Sequence, residues 1–266
     1  MIGKLFSDFR GIARVCGLVP ALRWAAGVVA TLPTVLRTRS LLSADRSMGD
    51  GPFEVHHAVG DAVLVGGDAF SGVREIWVRD VYAKQGFLQI PDHGLALDLG
   101  ANMGNFSAMA LASNPTARVI AVEPSTHHGE KWTATMRING FTDRAQLCRA
   151  FVGDFTHIQL NDIKTNPTYA DAPHLTEAEF LAQYRIDHID FLKCDIEGSE
   201  YFMIQPGSRI LDITDRLAIE VHDSGGDVKR FLDALAGRGF TDIAIDWYGT
   251  ECIARATRGA ATALAA

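Results

Sequence analysis

From Leu95 onward, short apolar runs recur with polar stretches between them: LALDL at 95–99, VIAV at 119–122, AQLCRAFV at 145–152, IDFLKC at 189–194, RLAIEV at 216–221, FTDIAID at 240–246 and ECIARA at 251–256. Runs this short and this free of polar interruption are what a sheet covered on both faces leaves in a sequence. Between two of them Val228, Phe231, Leu232 and Leu235 fall at i, i+3, i+4 and i+7, the stripe of a helix that stops at Gly237 or Gly239. Strand alternating with helix predicts right-handed βαβ units and an α/β, doubly wound, mostly parallel sheet. A chain of 266 residues that is 47% hydrophobic can bury one large core, which excludes disordered and collagen-like classes.

The core is expected over 91–257. A β-hairpin around Gly60-Asp61 and a cap occupy 51–90, and the Ala-rich tail 258–266 is expected to fray. Residues 1–50 form a separate helical extension. Val15 to Leu36 is apolar, but Pro20, Arg23 and Pro33 interrupt it, and its clean part is shorter than the roughly 20 residues a bilayer requires. Seven Lys/Arg against two acids give residues 1–47 a net charge of +5, within a chain whose net charge is −7. That pattern predicts a segment lying on a membrane surface, on the body of the protein, or on a second copy. The acidic remainder argues against a nucleic-acid partner. Four dispersed cysteines, with no C-x-x-C pair, fit a reducing cytoplasm rather than a disulfide or zinc framework.

In such sheets ligands sit beyond the carboxyl ends of the strands. The first core strand runs into DLGANMGNF, where Gly100 and Gly104 permit a tight turn and the following helix offers free N–H groups. A dinucleotide fingerprint needs glycine at 102 and 105, and both are asparagine; no phosphate-binding G-x-x-x-x-G-K-[ST] occurs. Asp98, at the end of an apolar strand, calls for a cation, and an amino-acid ammonium supplies one. Glu123 ends the second strand twenty-three residues beyond Gly100, the place from which a carboxylate accepts both ribose hydroxyls. A ligand combining an amino acid with adenosine is S-adenosylmethionine.

IDFLKCDIEGSE, at 189–200, gathers Lys193, Asp195 and Glu197 at the exit of the fourth core strand; RLAIEVHD places Glu220, His222 and Asp223 at the exit of the next. Acids and a histidine at neighbouring strand ends make either a general-base site or a cation site, for which Asp195, His222 and Asp223 are the candidate ligands and Mg²⁺ the candidate ion.

The stretches DLGANMGNFS (98–107), AVEPS (121–125), Asn139-Gly140, DFLKCDIEGSE (190–200) and IEVH (219–222) resemble the FkbM-type S-adenosylmethionine-dependent methyltransferases, as does VREIWVRDVYA (73–83). The resemblance implies a class I methyltransferase (Rossmann-like) sheet of seven strands and, usually, methylation of a hydroxyl on a sugar or secondary metabolite. It implies cofactor contacts from Tyr82, Asp98, Gly100, Ala101, Asn102, Gly104, Asn105, Phe106, Glu123, Pro124, Phe151 and Asp195. Asp195 is then the base or metal ligand, His222 assists, and Lys193 and Glu197 shape the electrostatics. N-methylation of an amine, a nucleotide-dependent oxidoreductase and a non-catalytic binding protein are the competing readings.

Overall fold

The computed structural model describes residues 2–66, 69–155, 157–169 and 171–259. Four helices come first: α1 (Ile2–Val15), α2 (Leu18–Ala30), α3 (Leu32–Thr38) and α4 (Leu42–Arg46). The hairpin follows as β1 (Phe53–His57) and β2 (Gly60–Leu64), paired antiparallel with His57 opposite Gly60. The short α5 (Ala69–Gly72) runs into a π-helical turn at Val73–Val78. Then the alternation begins: β3 (Leu95–Leu99), α6 (Asn105–Ser113), β4 (Arg118–Val122), α7 (Thr126–Ile138) and β5 (Ala145–Cys148). After β6 (Phe151–Val152), α8 (His157–Thr165), β7 (His174–Leu175) and α9 (Glu177–Tyr184), the sheet resumes with β8 (Ile189–Cys194) and β9 (Thr214–Val221). The helix α10 (Val228–Gly237) leads to β10 (Phe240–Tyr248) and β11 (Glu251–Arg258).

The central sheet has seven strands in the order β10-β11-β9-β8-β3-β4-β5. β9, β8, β3, β4 and β5 pair in parallel, and β11 alone runs against its neighbours on both sides. This is the expected class I methyltransferase sheet: the chain reverses its winding between β3 and β8, so a crevice opens at their carboxyl ends.

Side chains alternate between two cores, as the strand period requires. Leu95, Leu97 and Leu99 join Phe180, Phe231 and Leu235 on one face. Ala96 joins Phe191, Ala218 and Ile253 on the other, into which Ile12, Trp24, Phe70 and Trp77 also project. The N-terminal helices therefore close one face of the sheet, and buried ion pairs lock them there. Asp45 (1% exposed) accepts the Trp24 indole N–H at 2.9 Å and Arg74 Nη2 at 2.6 Å, and Asp8 (3% exposed) accepts Arg79 Nε and Nη2 at 2.9 and 2.6 Å.

One expected strand is divided. AQLCRAFV leaves the sheet after Cys148, and Phe151 and Val152 pair instead with His174 and Leu175 in a separate two-stranded sheet. β5 is the sheet edge, so nothing beyond it holds the chain straight, and the turn points Phe151 toward the crevice. The tail expected to fray lies, from residue 260, outside the described residues. Among the described residues no single helix is long and apolar enough to cross a membrane; α2 and α3 form a pair bent by 74°.

Candidate active site

The glycine loop is held from three sides. The N–H groups of Gly100 and Ala101 both donate to the Val122 carbonyl, at 3.0 and 2.9 Å, which folds the loop over the end of β4. Gly100 sits at φ 76°, and a Cβ there would lie 1.8 Å from the Asp195 carbonyl oxygen, so no other residue fits. From below, Lys193 Nζ donates to the carbonyls of Gly100 (2.7 Å) and Leu99 (3.2 Å).

The parallel register sets Lys193 directly beside Asp98. Asp98 is fully buried, accepts the Ser107 hydroxyl at 2.6 Å and lies 3.3 Å from Lys193 Nζ. The cation that this strand-end acid requires is thus supplied by the chain itself, which replaces the expected ligand ammonium. Burial alone would lower the Lys193 pKa, but Asp98 and Asp195 outweigh it and hold the ammonium above its usual range. Lys193 therefore positions the loop from beneath the site.

A cavity of about 430 Å³ opens above the loop, within the range of roughly 300–1,000 Å³ usual for small-molecule sites. Of the predicted residues, Gly100, Asn102, Glu123, Pro124, Phe151, Asp195 and Glu197 line it. Asp98, Ala101, Gly104, Asn105 and Phe106 stand behind the loop: Gly104 (φ 88°) is the N-cap of α6, and Phe106 stacks on Phe191 at 5.7 Å. His128, Gln159 and Tyr169 also line the cavity, though nothing in their local sequence marks them. Glu123 is 5% exposed; its oxygens accept the N–H groups of Asn102 and Ser125, each at 2.9 Å. His128 Nδ1 also lies 3.4 Å from Oε1, and Oε2 keeps a lone pair for a further donor.

Asp195 borders this cavity and also a second group of side chains. The Tyr82 hydroxyl donates to Asp195 Oδ2 at 3.4 Å, so the phenol expected at the cofactor is engaged by Asp195. His222 Nε2 lies 3.8 Å from Asp195 Oδ1 and 3.9 Å from Glu197 Oε2. Behind it stands Glu200, fully buried, which the sequence reading left without a role. Its Oε1 accepts the His222 backbone N–H at 2.6 Å and faces Nδ1 at 3.3 Å, while Oε2 accepts the Gly198 N–H at 2.9 Å. Its place in the acid cluster of IDFLKCDIEGSE was the available signal.

The expected metal triad is corrected. Donor atoms of Asp195, Glu220 and His222 lie within 4.8 Å of one another, whereas Asp223 is exposed and outside the group. Strand alternation explains this: Glu220 and His222 share a face of the β9 exit, and residue 223 points away. Mg²⁺ takes oxygen ligands, and this set includes an imidazole.

Burial, reinforced by Asp195 and Glu75, pushes the Glu220 carboxyl up to about 8. For His222, burial acts downward, but the hydrogen bond to Glu200 and its charge, with Asp195 and Glu220, raise the imidazole to about 9. Both shifts favour the protonated form, His222 as a cation and Glu220 as a neutral acid. Both groups bind protons more tightly folded than unfolded. Their stabilisation is complete below about 4.5 and 6.5, and is lost as pH rises through about 8 and 9 respectively. Thermal melts taken from mildly acidic to alkaline pH should show a falling midpoint, and Glu220→Gln should flatten that fall. An unchanged slope in the variant would contradict the assignment.

A family model, the methyltransferase FkbM domain, matches residues 98–241. The chain belongs to the FkbM methyltransferase family. The match spans the glycine loop, Glu123, Asp195 and His222. A segment of 51 residues, 19% of this chain, is 45% identical to the AMB antimetabolite synthetase AmbE of Pseudomonas aeruginosa, of which it covers 2%. Similar solved structures include an O-methyltransferase family protein from Burkholderia thailandensis (10% identity, 71% of this chain and 57% of that one, TM-score 0.46). Another is a precorrin-6y methyltransferase from Geobacter metallireducens (15% identity, 65% and 84%, TM-score 0.41).

Proposed function

We propose that this FkbM-family methyltransferase uses S-adenosylmethionine to methylate a hydroxyl group on a small acceptor, a sugar or secondary metabolite. The observation that carries this reading is the position of Asp195. It borders the ligand-sized cavity on one side and the Tyr82–His222–Glu220 group on the other. The residues suit the cofactor: Glu123 Oε2 offers a lone pair for a ribose hydroxyl, with His128 beside Oε1, and Val122, Ala150, Phe151 and Ile196 form an apolar wall for a purine. Bound there, the cofactor supplies an electrophilic methyl group.

The chain's own residues do the rest. An alcohol is a poor nucleophile until it loses its proton, and a positioned base contributes roughly 10²–10⁴-fold. Asp195, at the junction of the cavity and the Tyr82–His222–Glu220 group, is placed to receive the proton from the acceptor. Tyr82 orients the Asp195 carboxylate, and the His222 cation offsets the charge around it. Glu197, at the cavity rim with φ 54° and an exposed side chain, is placed to bind acceptor hydroxyls. The dispersed thiols, three of them buried, fit a cytoplasmic enzyme.

The acid-rich surroundings of Asp195 favour a second reading, an amine acceptor. Incubating the protein with cofactor labelled in its methyl group and with pools of hydroxylated and amino compounds separates the two. Mass spectrometry should find one labelled methyl on a hydroxylated compound, removed by omitting the enzyme. Label only on amines would overturn the hydroxyl assignment.

A further inference from the structure

In thirteen residues α2 carries a single charge, Arg23. A helix apolar all round is ordinarily enclosed by protein or lipid. Only half of this one is enclosed. Ala21, Trp24 and Val28 are buried in the core, whereas Leu18, Val19, Leu22 and Val29 on the opposite side are 54–77% exposed. α3 continues the surface: Leu32 and Leu36 are 41% and 54% exposed, and Arg39 follows at i, i+4, i+7 spacing.

Beside this face, between α1 and α3, lies a pocket of about 260 Å³ bordered by Lys4, Arg39, Arg74 and Arg79, with no acid in its lining. Asp45 and Asp8 neutralise Arg74 and Arg79 from below. Lys4 and Arg39 have no carboxylate partner among the described residues, so the pocket mouth keeps two uncompensated cations.

We propose that α1–α3 dock this methyltransferase on an anionic phospholipid surface. The α2–α3 leucines and valines enter the acyl boundary, and Lys4 and Arg39 receive a headgroup phosphate. Charge supports this occupant. Residues 1–47 carry a net +5 and the rest of the chain is acidic, so an anionic surface attracts this face and repels the remainder. A second copy meeting the first about a two-fold axis would set two such basic segments against each other. Because Arg74 and Arg79 tie α1 and α4 to the body through buried ion pairs, the docking face is rigid with respect to the sheet.

The test uses the full chain and sedimentation with vesicles of phosphatidylcholine, with or without phosphatidylglycerol. The wild type should sediment with the anionic vesicles alone, and added salt should release it. Leu22→Glu with Val29→Glu should weaken binding by about tenfold or more. Lys4→Glu with Arg39→Glu should weaken it by about fivefold or more for each charge. Both variants should bind S-adenosylhomocysteine as the wild type does, which shows that they fold. Equal sedimentation with neutral vesicles, unchanged binding in both variants, or self-association abolished by Leu22→Glu without any vesicle binding would each overturn the proposal.

Discussion

Asp195→Asn should lower turnover by roughly 10²–10⁴-fold while S-adenosylhomocysteine affinity stays near that of the wild type. Asparagine keeps the shape of the side chain and an oxygen for the Tyr82 hydroxyl, which approaches Asp195 Oδ2 at 3.4 Å. The loop is undisturbed as well, because its contacts with this position run through the backbone: the Asp195 N–H donates to the Leu99 carbonyl at 3.0 Å. What the amide cannot do is take a proton. The loss should therefore fall on kcat, with little change in cofactor binding by calorimetry. Wild-type turnover in this variant would remove Asp195 from the chemistry.

Lys193→Met should cost about 3–5 kcal/mol of folding stability, the usual result of removing one member of a buried ion pair. Lys193 is 3% exposed, and without it the fully buried Asp98 retains only the Ser107 hydroxyl. Combining Lys193→Met with Asp98→Asn should recover most of that stability, since no buried charge is left unpaired. Cofactor affinity should stay reduced in the double variant. The carbonyls of Leu99 and Gly100 have lost their common donor, and the loop that they belong to forms one side of the cavity. Urea denaturation and calorimetry measure the two effects separately. A single variant within about 1 kcal/mol of the wild type would show that the pair contributes little, as exposed pairs do.

How much of this is visible in the linear sequence depends on the range of the interaction. The apolar runs at 95–99, 119–122 and 189–194 follow from alternation and local burial, and they became β3, β4 and β8. Gly100, Asn102, Glu123, Pro124 and Asp195 lie within a few residues of those strand ends, so their arrival at one cavity follows from the topology. Strand register is different, because it depends on neighbours distant in sequence. The pairing of Asp98 with Lys193, which turns a presumed ligand contact into an internal one, could not be read without it. Nor could Gln159 and Tyr169, delivered to the cavity by an insertion with no periodic signal, or the ties of Asp8 and Asp45 to Arg79 and Arg74. The choice of Asp223 over Glu220 failed for a local reason: adjacent residues leaving a strand face opposite ways, and Glu220 lies on the His222 side.

On the proposed function, the cavity over β3 and β4 holds an adenosyl cofactor through Glu123. Calorimetric titration of S-adenosylhomocysteine into the wild type and into Glu123→Ala tests it most directly. The wild type should bind S-adenosylhomocysteine at a single site. Loss of one hydrogen bond to a charged acceptor, about 1.5–3 kcal/mol, should weaken the variant at least tenfold, its circular dichroism spectrum remaining that of the folded protein. Equal affinity in the two proteins, or no binding by the wild type, would contradict it.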